Sequence, residues 1–251
     1  MRWPAPIPLA VAATVAASSP TAAQEAFTAV DTALVLVVDA SGSITDGEFR
    51  LQKEGIALAV TDDEVMSAIL SGAWQRIAIA YVEWGGPLMA QTMVGWMIVE
   101  DQASAEAFAA SVLGAPRSLQ SYNAIGDAID HAAALLDQCP CQPTRRVIDV
   151  SGDNPDNRSV RPSEVARDAA VANGITINAL AILENDPIGP SGRPLLVETY
   201  ESEVIGGPGA FVMAAEDRRD FARALRQKMV LEIAGVGDRV PLVTASTGAP
   251  E

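Results

Sequence analysis

Apolar residues recur along this chain in two alternating rhythms. Short unbroken aliphatic runs, first at 33–38 and again in "QRIAIAYVEWGG", "RRVIDVSGDNPDN" and "ITINALAIL", predict strands buried on both faces. Between them lie segments of helical spacing. "TDGEFRLQKEGIALAV" carries Phe49, Ile56 and Val60 near that spacing, with acids in its first turn. "SAEAFAASVLGA" predicts a helix closed by Gly114. Residues 124–136 place Ile125, Ile129, Ala132 and Leu136 on one helical face. "RPSEVARDAAVANG" has Pro162 near its start and Gly174 just past its end. "LLVETYESEVIGG" predicts a helix, "AFVMAA" a short strand, and "EDRRDFARALRQKMVLEIAG" a closing amphipathic helix. "QTMVGWMIV" predicts a strand beside "QRIAIAYVEWGG".

Strands alternating with helices predict an α/β domain, a mostly parallel sheet with helices on both faces. No internal repeat or linker divides the body, so one domain over 32–235 is expected. Ligands of such folds bind beyond the carboxyl ends of the strands. "DASGS" falls there, directly after the first strand.

The ends of the chain read differently. Arg2, an Ala-rich apolar stretch over about 7–17, and small residues before Gln24 fit an export signal over 1–23. Periplasmic or secreted localisation follows from that signal. Residues 236–251 hold turn residues without sustained period and are expected to form a flexible tail. No later apolar stretch reaches the length of a membrane span.

Composition narrows the partners. Seventeen basic against thirty-two acidic residues give a net charge of -15. That balance disfavours nucleic acid and anionic membranes and favours cations or basic protein patches. Cys139 and Cys141 could form a C-x-C disulfide in an oxidising compartment, or begin a zinc site for which too few further ligands exist. His131, the single histidine, is expected at a surface or half-buried helix position.

Three predicted strand-end loops carry small oxygen ligands: Asp39, Ser41 and Ser43 in the first, Ser121 in the second, Asp153 in the third. A hard divalent cation takes oxygen ligands, and hydroxyls bind it without adding charge. With one or two carboxylates the ion stays net positive and attracts another acid. The alternative is that Asp39 and Ser43 act as simple caps, and Asp153, Asp156 and Asn157 as solvated turn residues. Trp84 is expected in packing, and Tyr122 near the rim of the site.

On these residues the chain resembles the von Willebrand factor A-type (VWA) family. "VVDASGSI" is similar to the first segment of its metal-ion-dependent adhesion site (MIDAS), a D-x-S-x-S after the first strand. Ser121 in "SYNAIGDAI" stands where the family has Thr. The third segment departs from the pattern: the family usually has Thr-Asp-Gly, and here the chain reads Ser151-Gly152-Asp153, which leaves Asp149 as an alternative ligand. "RRVIDVSGDNPDN", "GITINALAI" and "VIGGPGAFV" further resemble an exported bacterial branch, domain-of-unknown-function family 1194. The resemblance implies a Rossmann-like three-layer α/β/α VWA domain. It also implies a divalent cation, Mg2+ before Mn2+ or Ca2+, and a protein partner whose acidic residue completes the ion's coordination.

An enzyme is not expected. There is no G-x-S-x-G elbow, the one histidine lies on a predicted helix, and Ala-Ser-Gly-Ser-Ile replaces a dinucleotide fingerprint. The alternatives are a metal-free structural A-domain with a degenerate site and, behind it, a metal-assisted hydrolase.

Overall fold

A computed structural model of the chain describes residues 27–118, 120–184 and 186–235. The export signal and the tail expected at the two ends lie outside these residues. The central sheet has six strands in the order β3-β2-β1-β4-β5-β6. These are β1 (Thr28–Asp39), β2 (Ile77–Trp84), β3 (Gln91–Val99), β4 (Cys141–Gly152), β5 (Ile175–Ile182) and β6 (Val212–Ala215). All neighbours are parallel except β3, which runs antiparallel to β2.

Strand alternation sorts the core into two layers. Leu34, Leu36 and Val38 of β1 pack on one face with α1 (Asp46–Val60), α2 (Asp63–Leu70), α3 (Gln102–Gly114) and α7 (Phe221–Ala234). Ala33, Val35 and Val37 pack on the other with α4 (Ile125–Asp137), α5 (Ser163–Ala172) and α6 (Leu195–Glu203). The result is a helix–sheet–helix sandwich, as the pattern predicts. The chain leaves β1 towards β2 on one side and later places β4 on the other. Strand order therefore reverses between β1 and β4, the position beyond whose carboxyl ends open α/β sheets bind their ligands.

Three elements differ from the sequence reading. The first strand begins at Thr28, because Thr28, Ala29 and Val30 pair with Cys141, Gln142 and Pro143. Helix α2 was not anticipated; Asp62 caps it by accepting from the Glu64 amide at 2.9 Å. The closing helix starts at Phe221 rather than with "EDRRD". Asp217 Oδ1 accepts from the amides of Arg219 (2.8 Å) and Asp220 (3.0 Å), and these local bonds hold a turn instead of a helix.

Cys139 and Cys141 form a disulfide at the start of β4. His131 is half-buried on α4, with its Nε2 2.9 Å from Thr92 Oγ1. Trp84 is fully buried and donates from Nε1 to the Val37 carbonyl. Among the described residues no helix is long and apolar enough to cross a membrane.

Candidate metal site

The first loop is fixed from both ends. Ala40 still donates to the Trp84 carbonyl, but the Ser41 amide turns back onto Asp39 Oδ1 at 2.7 Å, ending the strand. At the far end Thr45 and Glu48 form a capping box for α1. Gln52 of α1 is buried and donates to the Asp39 carbonyl at 3.2 Å. Arg117, in the segment after α3, reaches across. Its Nη2 donates to the carbonyls of Ala40 (3.3 Å), Ser41 (3.1 Å) and Ile44 (2.8 Å), and its guanidinium lies 4.7 Å from the Phe49 ring. Held this way, the Ser41 and Ser43 hydroxyl oxygens stand 3.1 Å apart.

The second loop is pinned beside the first. Gln120 accepts from the Gly86 amide and donates to the Met89 carbonyl, while Ala124 donates to the Gly85 carbonyl. A Cβ placed on Gly42 would lie 3.9 Å from the Ser121 Cα, so Ser121 and the Ser41–Ser43 turn are direct neighbours. Ser121 is exposed.

The third loop follows β4. Val38 pairs with Ser151, which carries Asp153 to the end of β1. Asn154 Nδ2 donates to Asp153 Oδ1 at 2.6 Å, and Tyr200 Oη donates to the Asn154 carbonyl at 2.9 Å. Asp156 serves the framework: it accepts from the amides of Ile125 (3.1 Å) and Ser163 (3.2 Å), the first residues of α4 and α5.

Asp39, Ser41, Ser43, Ser121 and Asp153 thus come from three loops to one edge of the sheet. Asp149 does not join them. It lies four residues deeper on the strand, roughly 13 Å at the usual rise, and its Oδ1 is 2.7 Å from Lys228 Nζ in the core.

Asp39 is the electrostatic anomaly of the site. It is fully buried, and its Oδ2 has no hydrogen-bond partner. Burial, then the facing Asp153 carboxylate, push its pKa up to about 7, against the hydrogen bonds from Ser41. A buried carboxylate oxygen opposite a second carboxylate calls for a proton or a cation. Hard oxygens from two acids and three hydroxyls fit a hard divalent ion. Among the described residues no group of three or more His, Cys, Asp or Glu is placed to hold a metal ion.

Sequence reasoning missed Arg117, Gln52 and, above all, Arg218. Arg218 lies between β6 and α7, is buried, and its Nη2 donates to Asp153 Oδ2. In the sequence it stands in "EDRRD", which reads as the polar start of the closing amphipathic helix.

The family described as "Protein of unknown function (DUF1194)" matches residues 29–237. No curated protein matches in sequence. Among solved structures, proximal thread matrix protein 1 of the mussel byssus is 14% identical with a TM-score of 0.59, over 83% of this chain and 49% of that one. The same protein is known with a zinc-occupied MIDAS motif, at 16% identity and a TM-score of 0.57, over 82% and 46%. A von Willebrand factor type A protein from Catenulispora acidiphila is 16% identical with a TM-score of 0.55, over 82% and 43%. This chain therefore spans less than half the length of each, and what it shares with them at such identities is the fold.

Proposed function

The chain belongs to the DUF1194 family and has a VWA-type fold, and from that premise we propose that it is an exported binding module that works through a divalent cation. Asp39, Ser41, Ser43, Ser121 and Asp153 would hold the ion, Mg2+ in the first place and Mn2+ or Ca2+ as alternatives. A protein partner would supply an acidic side chain as the remaining ligand. Residues 1–23 would be removed on export to the periplasm or beyond, leaving the domain that begins with β1. No catalytic step is assigned to it.

The observation that carries this reading is the buried, unpartnered Asp39 Oδ2 opposite Asp153, with the hydroxyls of Ser41 and Ser43 beside it. The mussel protein with its zinc-occupied MIDAS motif supports the ion by analogy of fold. The surroundings support a protein partner. Leu88, Met89 and Tyr122 are large apolar residues exposed on the loops next to Ser121. Leu88 and Tyr122 hold left-handed backbone, φ 56° and 65°, a conformation seldom kept in side-chain-bearing residues without surrounding constraint. The constraint on Leu88 is the hydrogen bond its amide donates to the buried Asp127 carboxylate, 2.9 Å.

Thermal denaturation with chelator, Mg2+, Mn2+ or Ca2+ tests the ion. A ligand at one hundred times its Kd stabilises by about 2.7 kcal/mol, roughly 5–10 °C for a domain of this size. A melting temperature that rises with ion concentration supports the reading; one indifferent to all three ions overturns it. The Arg218–Asp153 ion pair favours a second reading, an ion-free structural domain whose counter-charge is an arginine. The same titration separates the two.

A further inference from the structure

Arg218 is surrounded by acids from three different elements. Its Nη2 donates to Asp153 Oδ2, and its Nε lies 3.5 Å from Glu48 Oε1 and 3.4 Å from Glu184 Oε2. The side chain is only 6% exposed, yet Nε and Nη1 have no hydrogen-bond acceptor. A guanidinium offers five N–H donors in a rigid fork, and buried donors are normally satisfied. Here a single strong bond is made, to a residue of the candidate ion site. Two further carboxylates stand beside Nε, just beyond hydrogen-bonding range.

Glu48 belongs to the α1 capping box, directly after the Asp39–Ser43 turn. Glu184 follows β5, and Asp153 follows β4. The guanidinium therefore has two stations: Asp153, and the Glu48–Glu184 pair. The turn that carries it is closed on itself by Asp217 and by Asp220, whose Oδ2 accepts from the Glu216 amide at 3.1 Å. Such a turn sets where Arg218 enters the site.

We propose that Arg218 is the resident counter-cation of this site and that a divalent ion exchanges with it. Ion binding draws Asp153 away from the guanidinium, which then pairs with Glu48 and Glu184. The inference rests on the ion-binding reading above and adds a regulation to it: affinity is set by the exchange, and the segment leading into α7 registers occupancy.

The test is Mg2+ titration of the full chain, followed calorimetrically and by the Arg218 Nε–H resonance, assigned through its loss in Arg218→Lys. Arg218→Met should tighten Mg2+ binding at least tenfold. Glu48→Gln with Glu184→Gln should weaken it at least fivefold, but change it less than twofold once Arg218 is Met, because those acids act through the arginine. In the otherwise unsubstituted chain the Nε–H resonance should move with the same midpoint as the heat. Equal Mg2+ affinity in Arg218→Met and the parent overturns the exchange while leaving the ion site standing. So does an unmoved Nε–H resonance, or an undiminished Glu48/Glu184 effect in the Met background. Should Arg218→Met fail to fold, the Nε–H resonance decides alone. A parent chain that takes up no Mg2+ overturns both readings together.

Discussion

A Cβ built on Gly152 would stand 2.7 Å from the Tyr200 hydroxyl oxygen, with the Trp84 ring 3.0 Å away on the same side. Both aromatics are fully buried, and Tyr200 is further tied to the Asn154 carbonyl. No side chain fits at position 152, so the acid that the VWA pattern places there is found one residue later, at Asp153. Gly152→Ala should therefore destabilise by about 1–3 kcal/mol through overpacking. Gly152→Asp combined with Asp153→Gly, which restores the family's order, should be worse than the alanine variant. Denaturant midpoints for the two proteins check the ranking. A stable restored-order variant would remove this explanation of the displaced acid.

Asp39→Asn should separate ion binding from folding. The amide oxygen can still accept from the Ser41 amide, while the charge facing Asp153 disappears. A carboxyl raised to about 7 from an ordinary value of 3.8 binds its proton more tightly in the native state. Its contribution to stability is lost as pH climbs from about 4 through 7. In chelator at pH 8, Asp39→Asn is expected to melt at or above the parent temperature, and to show no response to Mg2+. Melting well below the parent in chelator would mean that the carboxylate is a structural ligand of the loop instead.

Arg117 should matter as much as the ligands themselves. Three carbonyls of the Asp39–Thr45 loop accept from one of its nitrogens, the other nitrogen pairs with Asp46, and the plane stacks on Phe49. Arg117→Ala is expected to cost about 2–3 kcal/mol from charge-assisted hydrogen bonds and to lower ion affinity, since the carbonyls fix where Ser41 and Ser43 point. Arg117→Lys keeps the charge but not the fork, and should recover less than half of the loss. Chemical denaturation and ion titration of both variants measure this. Full rescue by lysine would show that charge alone was needed.

What the sequence disclosed depended on range. The buried strands announced themselves as aliphatic runs, because two covered faces leave few polar positions, and their alternation with helices implied the parallel sheet. The first loop was legible because Asp39, Ser41 and Ser43 lie within five residues. Asp153 could be placed only by knowing where β4 ends, and Asp149 is set apart from that loop by a register that puts it opposite Leu36 and against Lys228. Helix α2 carried a readable cap at Asp62 but was hidden behind the longer helix before it. Arg117 and Arg218 left no local trace: the hydrogen-bond partners of Arg117 lie more than seventy residues away, and Asp153 lies 65 residues from Arg218. An arginine among acids looks the same whether it faces water or a buried carboxylate.

A final expectation concerns the interior beneath the site. Lys228 and Glu232 of α7, Asp149 of β4 and Asn178 of β5 meet in the core, all almost wholly buried. Lys228 Nζ lies 2.7 Å from Asp149 Oδ1 and 2.5 Å from Glu232 Oε1, Asn178 Nδ2 donates to Glu232 at 2.9 Å, and Arg145 donates to the Glu232 carbonyl. Two acids share one ammonium, and Glu232 Oε2 has no partner. Burial, then the Asp149 charge, outweigh the attraction of Lys228 and raise the Glu232 pKa to about 8 from 4.5. The native state thus keeps a proton that the unfolded chain releases near 4.5, so this contribution is complete below that pH and lost as pH rises through about 8. The slope between those limits approaches 1.4 kcal/mol per pH unit for one proton. Glu232→Gln preserves an acceptor for Lys228 and removes the titration. It should melt higher than the parent at pH 8, and the gap should narrow on acidification and close below about pH 5. Melting curves of both proteins from pH 5 to 9 in chelator give the comparison. A constant offset across that range would mean that Glu232 is ionised in the core and that Lys228 neutralises both acids.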